Sequence, residues 1–314
     1  IVPRGCVLMI KAIEEQRSLP TKTTARRKRF SLTPWLWIGL AVLFVVIFLL
    51  YPMFFTIWLS FLDATSTHFV GLRNYLLIFT NSSLLEVLRN NLLWLVLATV
   101  ATVVLGLLIA VLVDRVRFES VAKAAIFVPM ALSFVAAGVI WRFVYEYEPP
   151  GQPQIGLLNA LVTALGGQPL AWITDSRFNN FALIAVYVWM WTGFCMVILS
   201  AAIKGIPSEI LEAARCDGAG EITIFFRIIV PMISPTIAVV TTTMIINILK
   251  IFDIVYVMTG GDYGTNVVAV EYYQQLFNFN NFGVASALAV LLLLAIIPIM
   301  YFNIRRFRVQ EAQR

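Results

Sequence analysis

Six stretches of this 314-residue chain stay apolar for about 20 residues, the length at which a helix crosses the hydrocarbon of a bilayer. They are 35–61, 92–113, 122–144, 181–203, 237–259 and 283–303. Hydrocarbon offers no partner to a free backbone amide or carbonyl, so such stretches fold as helices. Composition agrees: 60% of residues are hydrophobic and 13% are charged, whereas a soluble domain is roughly half apolar and a quarter charged. The expected fold class is all-α, a polytopic membrane protein with six transmembrane helices.

The basic residues read as a topology signal. They gather before the first span (Arg4, Lys11, Arg17, Lys22 and Arg26 to Arg29), in 114–123 (Arg115, Arg117, Lys123), in 204–235 (Lys204, Arg215, Arg227) and in the tail (Arg305, Arg306, Arg308, Arg314). The alternate connections hold only Arg73, Arg89, Arg142 and Arg177. Bases stay on the cytoplasmic side, so both termini and 204–235 are expected there. The net charge of +6 is thereby explained by the lipid membrane, with no nucleic acid partner. Cys6, Cys195 and Cys216 are too scattered for a disulfide framework or metal site. His68, the only histidine, leaves no His-based triad.

Residues 1–33 form a basic cytoplasmic tail, 34–310 the six-span domain, and 311–314 a C-terminal tail. VPRG at 2–5 reads as a protease-site remnant and Met9 as the natural start, so 1–8 are set aside. RRKRF and the run after it look like a signal peptide, but the run is too long and no small-residue cleavage site follows. Pro52 is expected to kink this first span.

Two connections on the other side are long. In 62–91, FVGLRNYLLIF suits a surface helix with Leu72, Leu76, Leu77 and Phe79 towards the membrane. In 145–180, a Pro-rich opening precedes NALVTALGG, a short helix ended by glycine. These loops either dock an external partner or cap the bundle. No internal repeat is visible, so the chain reads as half a transporter needing a pseudo-symmetric partner.

The connection SEILEAARCDGAGEITIFFRIIVPMISP, 208–235, is charged where a few residues would suffice. Ser208 and Glu209 suit a helix start, and Gly218 suits the left-handed residue that ends it. A second helix at about 221–230 would put Ile222, Phe225, Phe226 and Ile229 on one face, with Pro231 ending it and Pro235 starting the next span. Such a pair either lies on the membrane or enters a groove on a cytosolic protein.

Glu212-Ala213-Ala214, three residues, Gly218, nine residues, then Ile228-Ile229-Val230-Pro231 resembles the EAA loop of ABC importer permeases. FVGLRNY, AAIKGIPSEILEAARCDGAG (201–220), KIFDIVYVMTGGDYG (250–264) and ASALAVLLLL (285–294) resemble the maltose-type carbohydrate branch. DATSTHFVGL and VILSAAIKGIP are most like the first permease subunit of α-glucoside and glucosylglycerol importers. The resemblance implies the type I ABC importer permease fold in a bacterial cytoplasmic membrane. It implies a homologous second permease subunit, two cytosolic ABC ATPase subunits, an extracytoplasmic solute-binding protein and a sugar substrate. ATP and Mg would sit on the ATPases; this chain has no phosphate-binding GxxxxGK[ST] loop, and no catalytic residue, cofactor or metal is expected on it. The coupling residues implied are Glu212, Ala213, Ala214, Asp217, Gly218, Phe225 and Pro231.

Polar groups inside spans are costly and tend to face the interior. Asn247, Lys250 and Asp253, three apart, would share a helical face, with Lys250 able to pair with Asp253. They serve either the substrate route or a clamp to a partner. Tyr187, Trp189 and Trp191 offer stacking faces for a sugar, or plain packing. By resemblance the sugar contacts map to Tyr187, Met190, Trp191, Phe194, Ile246, Asn247 and Lys250. Lys250 stands where the family has asparagine, and Trp191 where it has glycine. Met130 and Ser133 are weaker members of the route. The alternatives are an importer of a non-sugar solute or a six-span channel subunit.

Overall fold

The computed structural model describes residues 32–114 and 116–311; the basic segment 1–31, Arg115 and residues 312–314 lie outside the described residues. Among the described residues regular structure is helical, apart from one isolated bridge between Leu62 and Phe69. Among the described residues five helices are long and apolar enough to cross a membrane, and a sharply bent pair makes a sixth crossing if it is one span.

The chain divides into two units, residues 1–52 and 53–314. In the first, α1 (Leu32–Val45) runs into a π turn at Val46–Leu50; α2 (Tyr51–Leu59) begins in the first unit and belongs mostly to the second. The wide turn closes with the Tyr51 amide donating to the Val46 carbonyl, directly before Pro52. A proline ring collides with the carbonyl four residues back, and a π turn shifts that carbonyl aside. The expected kink at Pro52 is resolved as this local widening.

In the second unit, α3 (Arg73–Thr80) is the expected surface helix. Leu72, Leu76, Leu77 and Phe79 are exposed, while Asn74 and Ile78 are buried. Asn74 anchors it by donating to the carbonyls of Ser60 (2.8 Å) and Leu62 (2.7 Å). Desolvation pushes the Asp63 carboxyl up, but the amides of His68 and Thr67 and the Thr65 hydroxyl outweigh it and hold it well below the usual range. That carboxylate closes the turn between α2 and α3.

The core is α4 (Ser82–Val113) against α8 (Asn179–Lys204). Within α8's most apolar window 61% of residues are buried, which makes it the central helix of this unit. Ala98, Thr102, Gly106 and Ala110, four apart, form a fully buried stripe of small residues on α4. Small residues let two backbones approach, and close packing is what holds helices together in lipid.

The third predicted span, 122–144, is not one helix. α5 (Glu119–Phe127) and a 3-10 turn (Val128–Ala131) meet α6 (Phe134–Val144) at 99°. Pro129 sits in the turn, and Ser133 restarts the chain as N-cap, its hydroxyl accepting the Ala136 amide at 3.1 Å. α7 (Leu157–Ala164) ends at Gly166, φ 83°, as the glycine pair predicts.

The fifth span also differs from its predicted bounds. It begins at Glu221 in α10 (Glu221–Ile224), passes a π turn at Phe225–Ile229, and continues as α11 (Val230–Leu249). Pro231 therefore does not end a helix, nor does Pro235 begin one. The Val230 amide bonds the Phe225 carbonyl directly before Pro231, the device already used at Pro52. The span stops at Lys250, and α12 (Asp253–Thr259) starts afresh. After α13 (Val268–Tyr273) and a third π turn, α14 (Phe282–Glu311) completes the chain.

Candidate functional site

α9 (Ser208–Cys216) and α10 stand at one end of the second unit, joined by the turn 217–220. Pro207, not Ser208, occupies the cap position, and no side chain caps the first turn. The far end closes as expected: Gly218 has φ 81°, its amide bonds the Arg215 carbonyl (3.0 Å), and the Ala219 amide bonds the Ala214 carbonyl (3.0 Å). This double closure is a Schellman motif, which fixes the exit direction of the chain. An ion pair of Arg215 with Glu221, 3.0 Å, bridges the turn.

Ala214 is buried and Phe225 half-buried, so the loop is seated on the bundle. Glu212, Ala213, Asp217, Gly218 and Pro231 are exposed. The second apolar face is not the predicted one: Ile224 and Ile229 turn inward, while Ile222 and Phe226 are exposed at 77% and 65%. The π turn at 225–229 adds a residue to the helical period and rotates that face.

Beside the loop, charged groups tie three helices. Lys123 on α5 bonds Asp114 at the end of α4 (2.7 Å) and Glu119 (2.6 Å). It also contacts Ser200 on α8, and Lys204 contacts Glu119. Lys123 bridges two acids while only 18% exposed; Lys204 touches one and is 52% exposed. Lys123→Met is therefore expected to lower the thermal midpoint in detergent more than Lys204→Met, because it leaves sheltered Asp114 without a cation and Glu119 with Lys204 alone, whereas Lys204→Met leaves both acids paired with Lys123. Equal shifts would show that the pairs are solvent-screened.

The residues assigned to a route lie on α8, on α11, around the break that leads to α12, and at the bend between α5 and α6. On α8, Tyr187 and Trp191 stack at 6.1 Å, and Trp191 meets Phe194 edge-on at 5.5 Å and Phe134 at 6.2 Å. Ser133, beside Phe134, is exposed. Tyr187 is 1% exposed, yet its Oη and the Trp191 Nε1 have no hydrogen-bond partner among the described residues. Buried donors without partners are uncommon and ask for an explanation. Asn247 is half-buried on α11. Lys250 and Asp253 do not share a helical face, because the break at 250–252 separates them. Among the described residues no ion pair joins them. Met130, Met190 and Ile246 complete the set, with Met190 buried.

The fold defines a polytopic helical membrane protein with a capped helical loop at one end. The family described as "Binding-protein-dependent transport system inner membrane component" matches residues 102–309, and the chain belongs to it. It is 57% identical over 274 residues to the osmoprotective compounds uptake permease protein GgtC of Synechocystis, covering 87% of this chain and 98% of that one. It is 46% identical over 276 residues to the alpha-glucoside transport system permease protein AglF of Rhizobium meliloti, covering 88% and 82%. In three dimensions it resembles a chain of a bacterial ABC transporter involved in alginate import, with TM-score 0.73, 22% identity, and coverage of 87% and 95%. The fold is thus that of the type I ABC importer permeases, and the chain is a transport permease rather than an enzyme.

Proposed function

We propose that the chain forms half of the translocation path of a binding-protein-dependent importer for a sugar such as an α-glucoside or glucosylglycerol. The observation that carries the coupling half of this reading is the seated α9, closed at Gly218 and tied by the Arg215–Glu221 pair across a short turn to α10, which continues unbroken into α11. A push on α9 is delivered to a span rather than absorbed by a hinge. The partners are a homologous permease, two cytosolic ATPases holding ATP and Mg, and an extracytoplasmic binding protein. Both termini then face the cytoplasm of the bacterial inner membrane, as the basic residues require. Closure of the ATPases would draw the α9 loops of the two permeases together, with Glu212 and Ala213 at the contact. The spans would open outward to receive sugar from the binding protein.

On the route, Asn247 offers a donor and an acceptor to hydroxyls. The unpartnered donors of Tyr187 and Trp191 support the same assignment, as does the neutrality of this set. Lys250 and Asp253 flank the break beyond Asn247, with Phe194 and Ser133 beside the aromatic column. Uptake of labelled α-glucoside by the complete complex in proteoliposomes tests the reading, and uptake indifferent to ATP would refute it. In that assay Asn247→Leu is expected to slow uptake about tenfold, the worth of one good hydrogen bond, while assembly is retained. Unchanged uptake would remove Asn247 from the route.

A further inference from the structure

At the end of the second unit opposite the α9 loop, a cavity of about 670 Å³ opens between residues 142–147, 171–174 and 256–263. That volume is typical of a small-molecule site. Buried amides fix its walls through the backbone. Asn159, fully buried, donates to the carbonyls of Glu146 and Leu170 (3.0 Å each) and accepts from the Leu170 amide (2.9 Å) and Trp172 Nε1 (3.0 Å). Asn179 donates to the Tyr263 carbonyl (2.6 Å), Asn90 to that of Gly264 (2.8 Å), and Gln274 to that of Gly260 (2.8 Å). These bonds hold the loop in left-handed conformations at Gly260, Gly261 and Gly264, and also at Tyr263, φ 57°. A tyrosine kept at positive φ is a strained residue that its surroundings over-determine, and such strain clusters at functional sites.

With the backbone fixed, the side chains remain free. Tyr147 and Tyr263 are 36% and 53% exposed and have no ring partner among the described residues. Arg142, Glu146 and Asp262 are exposed, and among the described residues none makes an ion pair or side-chain hydrogen bond. Flat rings beside both donors and acceptors suit a pyranose, whose C–H face is apolar and whose hydroxyls both give and accept. An anion would meet two carboxylates for one guanidinium, and a lipid chain would meet three charges. Tyr256, which also lines the cavity, lies one helical turn beyond Asp253, so the cavity shares a helix with one residue of the proposed route.

We infer that this cavity is an entry subsite for a neutral saccharide, occupied before the sugar reaches Asn247. The inference rests on the sugar-importer reading above. The test uses the complete reconstituted complex and a diazirine-tagged α-glucoside shown to compete for α-glucoside uptake. Absence of ATP-dependent uptake by the wild type would sink the importer reading itself. With uptake intact, light should attach the probe to peptides spanning 142–147 and 256–263. Tyr147→Leu and Tyr263→Asn should each reduce that labelling about fivefold, the loss expected for one stacked ring. Asparagine tolerates the left-handed backbone at 263, and co-purification with the ATPases confirms that each variant is assembled. Label confined to other peptides, or cross-links from these positions only to the binding protein, would overturn the subsite.

Discussion

Gly218→Asp is expected to abolish coupled sugar uptake while leaving the permease folded. At φ 81° an L-residue is strained, by about 1–2 kcal/mol, and Asp is among the side chains that tolerate it best. Among the described residues nothing but its own chain neighbours lies within 4 Å of a Cβ placed there. The new carboxylate therefore projects away from the bundle, into whatever α9 is seated in. On the proposed reading that is an ATPase groove, where an unpaired buried charge costs about 2–5 kcal/mol and weakens the contact on the order of 100-fold. Three measurements separate the causes: thermal midpoint, recovery of ATPases on the purified permeases, and uptake. A near-normal midpoint with lost recovery and lost uptake is the expected pattern. Gly218→Ala, which carries the strain without the charge, should keep most uptake. Normal uptake by Gly218→Asp would remove α9 from the coupling path.

The same loop shows which parts of the structure local chemistry makes legible. Gly218 was readable because one backbone conformation admits essentially glycine at little cost. Pro231 was misread because the rule that proline ends a helix assumes an α-helical turn before it. At both Pro52 and Pro231 a π turn intervenes, and the helix continues. The spans were visible as apolar runs, yet the break after Leu249 left no mark, since Lys250-Ile251-Phe252 contains neither glycine nor proline. Ile251 is 5% exposed there, so the break is held by tertiary packing. The inward faces were harder still. A helix that meets lipid on one side and protein on the other is apolar all round, which erases the amphipathic contrast. That is why residue type and the family resemblance, not helical pattern, point to Tyr187 and Trp191, while the cavity residues Tyr147 and Tyr263 carry no mark of their own. A signal for the cavity did exist. Asn90-Asn91 and Asn179-Asn180 are polar pairs at the same end of two spans, and all four bond the residues of the 263–268 loop.

Gly106→Leu is expected to unseat the α4–α8 pair and with it the bundle. A Cβ at Gly106 would lie 2.5 Å from the Cys195 Cβ, 3.1 Å from the Met196 nitrogen and 3.2 Å from the Cys195 carbonyl carbon. None of these atoms is the end of a flexible side chain, so relief must come from moving one helix bodily. Both helices are long, and separating them at their closest point loosens the Ala98–Ala110 stripe on either side. Lipid supplies no hydrophobic drive to restore the contact. Overpacking costs about 1–3 kcal/mol when side chains can adjust, and here the backbone is the obstacle. A fall of about 5 °C or more in thermal midpoint should follow, together with loss of a monodisperse species in detergent. Gly39→Leu is the control, since Gly39 is exposed and, among the described residues, nothing beyond its own helix backbone lies within 4 Å of a Cβ there. If both variants melted with the wild type, the small-residue crossing would not be what holds this bundle together.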